Sequence, residues 1–262
     1  MTNRFSNAIW PVVLGMFAVT GCSRQNVQKA DTLAIGPDVE RLSVRSEQAN
    51  LAIKAAGGLD AWVKTKTIEF NCVATFYQPD GTYYLTEQRY EVYPWSGSLR
   101  ASGHEPQGRY LWQLAKGDFG VLEGKGQYDG MRVGVDNGCI AEGILDIITA
   151  PVRLLDESVE LRPVGEPVRL EGQFYQPMKR VARPGVTSVP PLRDAVFYQR
   201  RNDGRVDMLL LGCEGVGGAL IVRGYDYAEA AEGGVLFPTK TEVFKGDAGG
   251  RVLHRMIQIN AK

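Results

Sequence analysis

Two histidines, His104 and His254, and four cysteines, Cys22, Cys72, Cys139 and Cys213, are the residue types here most able to do chemistry. Zinc catalysis on a helix needs a second ligand one turn away, as in H-E-x-x-H, and neither histidine has one. His104 sits in Ser-Gly-His-Glu-Pro, which reads as a loop, and His254 alternates with Leu253 and Arg255 near a strand end. No C-x-x-C occurs, and the cysteine spacings match no metal ligand set. The glycine-rich run Gly212-Cys213-Glu214-Gly215-Val216-Gly217-Gly218 leads into Ala219-Leu220-Ile221-Val222, a strand sequence, so no helix N-terminus follows to receive a phosphate. Asp129-Gly130 and Asp136-Asn137-Gly138 are turn sequences without the full ligand run of a calcium loop. Asp156 and Glu157 are adjacent, so on a helix or strand their side chains diverge into solvent. No G-x-S-x-G elbow is present. These residues predict a protein that is not an enzyme, with no cofactor and no metal.

Cys22 has a different chemistry. Residues 1–21 carry Arg4, then an apolar run from Ala8 to Val19, and end in Val19-Thr20-Gly21 before Cys22 and Ser23. Twelve residues of helix span about 18 Å, short of the roughly 30 Å of a bilayer core, which suits a secretory signal better than a membrane span. Small residues at the two positions before the cysteine resemble the cleavage box of bacterial lipoproteins. That resemblance implies removal of residues 1–21 and acylation of Cys22, with palmitate-type chains held in the membrane at about 0.8 kcal/mol per methylene. Membrane lipid is then a partner through the anchor. Lipoproteins retained at the inner membrane typically carry Asp after the cysteine; Ser23 stands there, which by resemblance places this chain at the outer membrane, facing the periplasm. In an oxidising compartment the other three cysteines can form one disulfide and leave one thiol. Cys72 alternates with Phe70 and Ala74 and reads as a buried free thiol, and Cys139–Cys213 is the expected pair if one forms.

The elements that must carry these residues follow from periodicity. Residues 22–38 are polar and aperiodic, a flexible tether. Leu42, Ala49, Ile53 and Ala56 recur at helical spacing from Val39 until Gly57-Gly58. Ile68 to Phe76 then alternates with period 2, Pro79-Asp80-Gly81 turns, and residues 82–93 return as a second strand. Strands are predicted at 98–102, 110–115, 118–123, 158–163, 168–181, 195–200, 205–211, 219–227, 236–245 and 251–260. A helix through Ile140, Ile144, Leu145 and Ile148 ends near Pro151, and residues 183–193 form a loop.

Composition agrees: 44% hydrophobic, 23% charged, 31 glycines and 13 prolines describe a turn-rich globular chain. Thirty basic against thirty acidic residues give no global field to hold nucleic acid, which is excluded as a partner. Long antiparallel strands without β-α-β alternation predict an α+β fold in one domain over residues 39–262. Its long antiparallel strands must coil or close to limit their edges, which predicts a barrel or half-barrel and not a flat sheet.

Two stretches carry a family resemblance: Ala52-Ile53-Lys54-Ala55-Ala56-Gly57-Gly58-Leu59-Asp60-Ala61-Trp62, and Tyr225-Asp226-Tyr227 with Gly233-Gly234-Val235-Leu236-Phe237-Pro238-Thr239-Lys240. Together they resemble the LolA/LolB-like periplasmic lipoprotein carriers. The resemblance implies an unclosed antiparallel β-barrel capped by helices, with an apolar cavity for an acyl chain or lipoprotein lipid. An anchored chain resembles the receptor side of that superfamily. A cavity of this kind needs apolar strand faces, and the candidates to line it are Phe70, Phe76, Tyr84, Tyr90, Trp112, Phe197, Leu209, Leu211, Ile221 and Phe244. The alternative is a structural or interaction lipoprotein in which the same side chains fill a closed core and bind nothing.

Overall fold

The computed structural model describes residues 30–262 except 39, 41, 43–45, 106–107, 125–136, 186–192, 214–218, 231–232 and 248–250. Three short helices precede the sheet: α1 (Ala30–Leu33), α2 (Glu47–Ala55) and α3 (Leu59–Lys64). Five strands follow in order: β1 (Ile68–Tyr77), β2 (Tyr83–Tyr93), β3 (Ser98–Glu105), β4 (Gly108–Ala115) and β5 (Asp118–Glu123). The long helix α4 (Asn137–Arg153) separates them from β6 (Val159–Pro163), β7 (Val168–Leu170), β8 (Gln173–Ala182), β9 (Ala195–Arg200), β10 (Val206–Gly212), β11 (Ala219–Glu229), β12 (Leu236–Gly246) and β13 (Val252–Ala261).

All thirteen strands belong to one sheet of order β5-β4-β3-β2-β1-β13-β12-β11-β10-β9-β8-β6, with β7 paired to β8. Every pairing is antiparallel. The two arms join where β1 meets β13, Cys72 opposite Ala261 and Phe76 opposite Ile257. β5 and β6 end the path without pairing each other, so the barrel is unclosed. α4 touches β3, β4 and β5 on one arm and β10, β11 and β12 on the other. A flat sheet could not reach it from both sides, so the sheet curls around it.

Helix α2 starts at Ser46, whose Oγ accepts the Ala49 N–H, and not at Val39. Leu42 makes an isolated bridge with Asp156 instead of lying on the helix. Gly57, at φ 102°, ends α2, and the Gly58 N–H returns to the Ile53 carbonyl at 2.9 Å. Here the two family-like stretches meet. A Cβ on Gly57 would collide with the Gly234 carbonyl oxygen, and one on Gly233 with Thr65 Oγ1. The Leu236 N–H donates to the Ala56 carbonyl at 3.1 Å, and the buried Trp62 indole donates to the same oxygen at 2.8 Å. Gly57 and Gly233 thus leave no room for a side chain at this crossing, while Gly58 and Gly234 meet nothing but turn the chain at positive φ, and the crossing fixes α2 and α3 over this end of the barrel.

Four predicted features differ. The tether predicted for 22–38 is already anchored at Leu33, which is buried against Tyr93 and Ala115. The strand predicted over 168–181 is broken at Glu171-Gly172, where both residues have positive φ and the chain turns from β7 into β8. Helix α4 continues through Pro151 to Arg153; proline costs it only one hydrogen bond in its last turn. His104 lies within β3, opposite Arg109, not in a loop.

Candidate functional site

The inward face of the sheet is read from its alternation. Ile68, Phe70, Cys72, Ala74 and Phe76 on β1 pack into the main core, as do Tyr84, Tyr90 and Val92 on β2. Their rings form a strip across the sheet. Phe76 stacks on Tyr84 at 4.9 Å between centroids, and Phe70 on Tyr90 at 5.3 Å. Tyr90 meets the edge of Trp112 at 5.8 Å, Trp112 meets Phe119 at 5.5 Å, and Phe237 closes on Phe70 at 5.4 Å. Such pairs add about 0.5–1.5 kcal/mol each beyond the area they bury. Phe70, Tyr84 and Phe119 are only half-buried, so the strip is not wholly covered.

Phe197, Leu209 and Leu211 also face inward, fully buried. Ile221 and Phe244 do not. They lie on the outer face with Met208, in a separate cluster that Leu170, Tyr198 and Leu210 complete. The guanidinium of Arg223 stands 5.9 Å from the Phe244 ring centroid and that of Arg255 5.6 Å from it. The correction has a simple cause: Ala219 to Val222 are buried on both faces of the sheet, so hydrophobicity does not say which way each residue points.

The hollow of the barrel holds α4. Residues 138–152 of this helix are all buried, by the sheet on one side and by α2 on another. Gly143 permits the closest approach: a Cβ there would stand 2.8 Å from Val222 Cγ2 and 2.9 Å from Leu211 Cδ1. Cys139, in the first turn, is joined to Cys213, just past β10, in a disulfide with Cα atoms 6.0 Å apart. Cys72 remains a buried thiol, and burial pushes its pKa up to about 12. That thiol is inert at neutral pH.

A charge network, not anticipated from the sequence, fastens the middle of α4 to the β8 side. Arg180 Nη1 is 3.0 Å from Asp146 Oδ2, and Arg180 Nη2 is 3.8 Å from Glu142 Oε1 and donates to the Arg193 carbonyl at 3.1 Å. Arg153 holds the other oxygen of Asp146, and Arg193 Nε holds Glu142 Oε2 at 2.6 Å. Asp146 is 0% and Arg180 2% exposed. Burial raises the Glu142 pKa, the Asp146 charge raises it further, and Arg153, Arg180 and Arg193 only partly oppose them. Arg180 also lies 5.3 Å over the Phe197 ring. A signal was present: Glu142, Asp146, Thr149 and Arg153 form a polar stripe at i, i+4, i+7 and i+11 on an otherwise apolar helix.

Among the described residues no three His, Cys, Asp or Glu side chains converge as a metal ligand set, and no helix is long and apolar enough to cross a membrane. Cys22 lies outside the described residues, as do Asp129-Gly130, Asp136 and residues 214–218 of the glycine run. An open depression of about 360 Å³, lined by Gly172, Gln173, Phe174, Arg201 and Asn202, contains none of the predicted site residues.

No family model matches the chain, and no curated protein matches its sequence. Solved structures do. The chain is similar in fold to a LolA superfamily protein from Nitrosomonas europaea, with TM-score 0.48 and 9% identity over 80% of this chain and 89% of that one. It is similar to a DUF1329 family protein from Desulfovibrio piger, with TM-score 0.44 and 12% identity over 82% and 90%. A third likeness is to a domain described as an outer membrane lipoprotein-sorting protein from Vibrio parahaemolyticus, with TM-score 0.40 and 7% identity over 86% and 91%. These are likenesses of fold.

Proposed function

We propose that this chain is a lipoprotein of the bacterial envelope, anchored through acylated Cys22 at the outer membrane, whose unclosed barrel binds an acyl chain, free or on a lipoprotein, without catalysis. The observation that carries the reading is the aromatic strip Phe237–Phe70–Tyr90–Trp112–Phe119 on the inward face of an open barrel, half-buried at Phe70 and Phe119. A strip of stacked rings flanked by aliphatic side chains suits a hydrocarbon chain, which needs apolar surface and few directional contacts. The anchor and outer-membrane address rest on residues 19–23.

The test uses the Cys22→Ser chain, purified from its membrane-free fraction. Native mass spectrometry and organic extraction would show co-purified lipid, and a dansyl-labelled fatty acid would bind and be displaced by unlabelled fatty acid. Phe70→Asp places a charge on the strip and is expected to weaken that binding at least tenfold. No extracted lipid and no probe binding would refute the reading. The anchor is tested separately, by palmitate incorporation in the unaltered chain and its loss in Cys22→Ser.

A second reading has one observation in its favour. α4 already occupies the hollow, as it would in a structural or interaction module with a filled core. That reading expects a lipid-free protein that crosslinks to a protein partner in intact cells.

A further inference from the structure

We propose that Gln88 and Thr86, inside the barrel, form the head-group site of the acyl ligand. The site selects an uncharged acyl compound with an N–H or O–H donor beside its carbonyl, an amide or a glyceride, over an ionised fatty acid. The inference rests on the acyl-binding reading and names the chemistry the ligand carries.

The inward positions of β1 and β2 are apolar with two exceptions. On β2 the residues that alternate with the inward Tyr84 and Tyr90 are Thr86 and Gln88, which are 6% and 5% exposed. They lie between two ring pairs, Phe76 on Tyr84 to one side and Phe70 on Tyr90 to the other. Their neighbours across the sheet are small. On β1, Cys72 stands opposite Gln88 and Ala74 opposite Thr86, and on β3 Gly103 stands opposite Gln88. The face is therefore recessed between two aromatic walls, with a polar floor. The Tyr110 hydroxyl lies over Gly103, where a Cβ would collide with it, and adds a third polar group beside the recess.

The hydrogen bonds of this floor are incomplete. Gln88 Nε2 donates to Thr86 Oγ1 at 2.7 Å. Among the described residues nothing donates to Gln88 Oε1. The Thr86 hydroxyl, having accepted, keeps its own proton to give. A buried amide oxygen without a donor lowers stability, and apolar side chains of the same shape would avoid that loss. The pair gains its full set of hydrogen bonds only with a guest that offers a donor to Gln88 and an acceptor to Thr86 on neighbouring atoms. An amide offers both, and so does a glyceride, through a free hydroxyl and its ester carbonyl. An ionised carboxylate has no donor for Gln88 Oε1, and no Lys, Arg or His stands among the inward residues of β1 and β2 to offset its charge. From Gln88 the hydrocarbon chain continues over Tyr90 and Phe70 to Phe237, which lie in contact.

The experiment takes the Cys22→Ser chain at pH 8 and measures how myristamide, monomyristoylglycerol, methyl myristate and myristate displace a dansyl-labelled fatty acid. At least one of the first two should compete at least tenfold more tightly than methyl myristate, which lacks a donor, and than myristate, which is charged. The tighter of the two identifies amide or glyceride as the source of the head group. Gln88→Met and Thr86→Val should each bring that competitor to within about threefold of methyl myristate. Without ligand, the double variant should melt no lower than its parent, because it removes an unpaired polar group. A lower melting temperature would make the pair a structural hydrogen bond and overturn the inference. Equal competition by all four, tighter binding of myristate, or an unaltered preference in both variants overturns it as well, the last leaving a buried water as the partner of Gln88. Failure of the probe and of every competitor to bind refutes the acyl-binding reading itself, whereas binding without preference refutes the head-group site alone.

Discussion

Replacing Arg180 with Met separates the charge network from the rest of the packing around α4. Methionine is unbranched and can occupy much of the path of the arginine stem, so the change removes charge and donors with little loss of volume. Breaking one partner of a buried ion pair costs about 3–5 kcal/mol, because the other is left charged in a poor solvent. Here Asp146 keeps Arg153 and Glu142 keeps Arg193, so the loss should fall at the low end, about 3 kcal/mol. For a domain of this size each kcal/mol lowers the melting temperature by about 2–4 °C, giving a fall of about 6–12 °C. Thermal and urea unfolding of the oxidised protein, followed by circular dichroism, measure it, with the urea m-value unchanged. A double-mutant cycle with Asp146→Asn should return a coupling of at least about 1 kcal/mol, since the two groups are 3.0 Å apart. A loss below about 1 kcal/mol, or additive effects in the cycle, would show that the network does not fasten the helix.

Three further outcomes follow from the same geometry. The Cys72 thiol, buried and with its pKa pushed up to about 12, should not react with Ellman's reagent at pH 8 in the native Cys22→Ser protein but should react in guanidinium; native labelling within minutes would contradict the placement. Gly143→Ala gains about 1 kcal/mol of helix propensity but loses about 1–3 kcal/mol to crowding against Val222 and Leu211, so urea unfolding should show a net loss of about 1 kcal/mol. Glu142 has a folded-state pKa raised above 4.5, so its contribution is fully present below that pH and is lost as pH rises through the folded value. The stability of Glu142→Gln relative to the unaltered chain should therefore improve as pH rises from about 4.5 towards neutral, and a constant difference across that range would refute the shift.

Much of the fold is written in local periodicity. Ile68 to Phe76 alternates cleanly because one face of β1 is apolar core and the other is not, and the predicted hairpin to β2 needs only Pro79-Asp80-Gly81. Legibility fails where both faces are buried. Met208 to Leu211 and Ala219 to Val222 give continuous apolar runs, so Ile221 and Phe244 were as eligible for the inward face as Leu209 and Leu211. The turn at Glu171-Gly172 was hidden because it uses a non-glycine residue at positive φ, without proline. The charge network depends on β8 lying beside α4, and no spacing along the chain expresses that neighbourhood, although the polar stripe from Glu142 to Arg153 marked the helix face that needed partners. The half-buried aromatic strip was half legible: its residue types were visible, but its continuity from Phe237 to Phe119 joins β12, β1, β2, β4 and β5.

The pairing of β1 with β13 has a consequence for biogenesis. The first strand of the sheet waits for the last, so one edge of β1 stays bare until Val252–Ala261 has been synthesised. Contacts so distant along the chain close slowly, and until they do the aromatic faces of β1 and β2 are open to misassociation with other nascent chains. A holdase would find its natural grip on this unfinished seam, and truncation at the C-terminus would disable the whole molecule instead of trimming it.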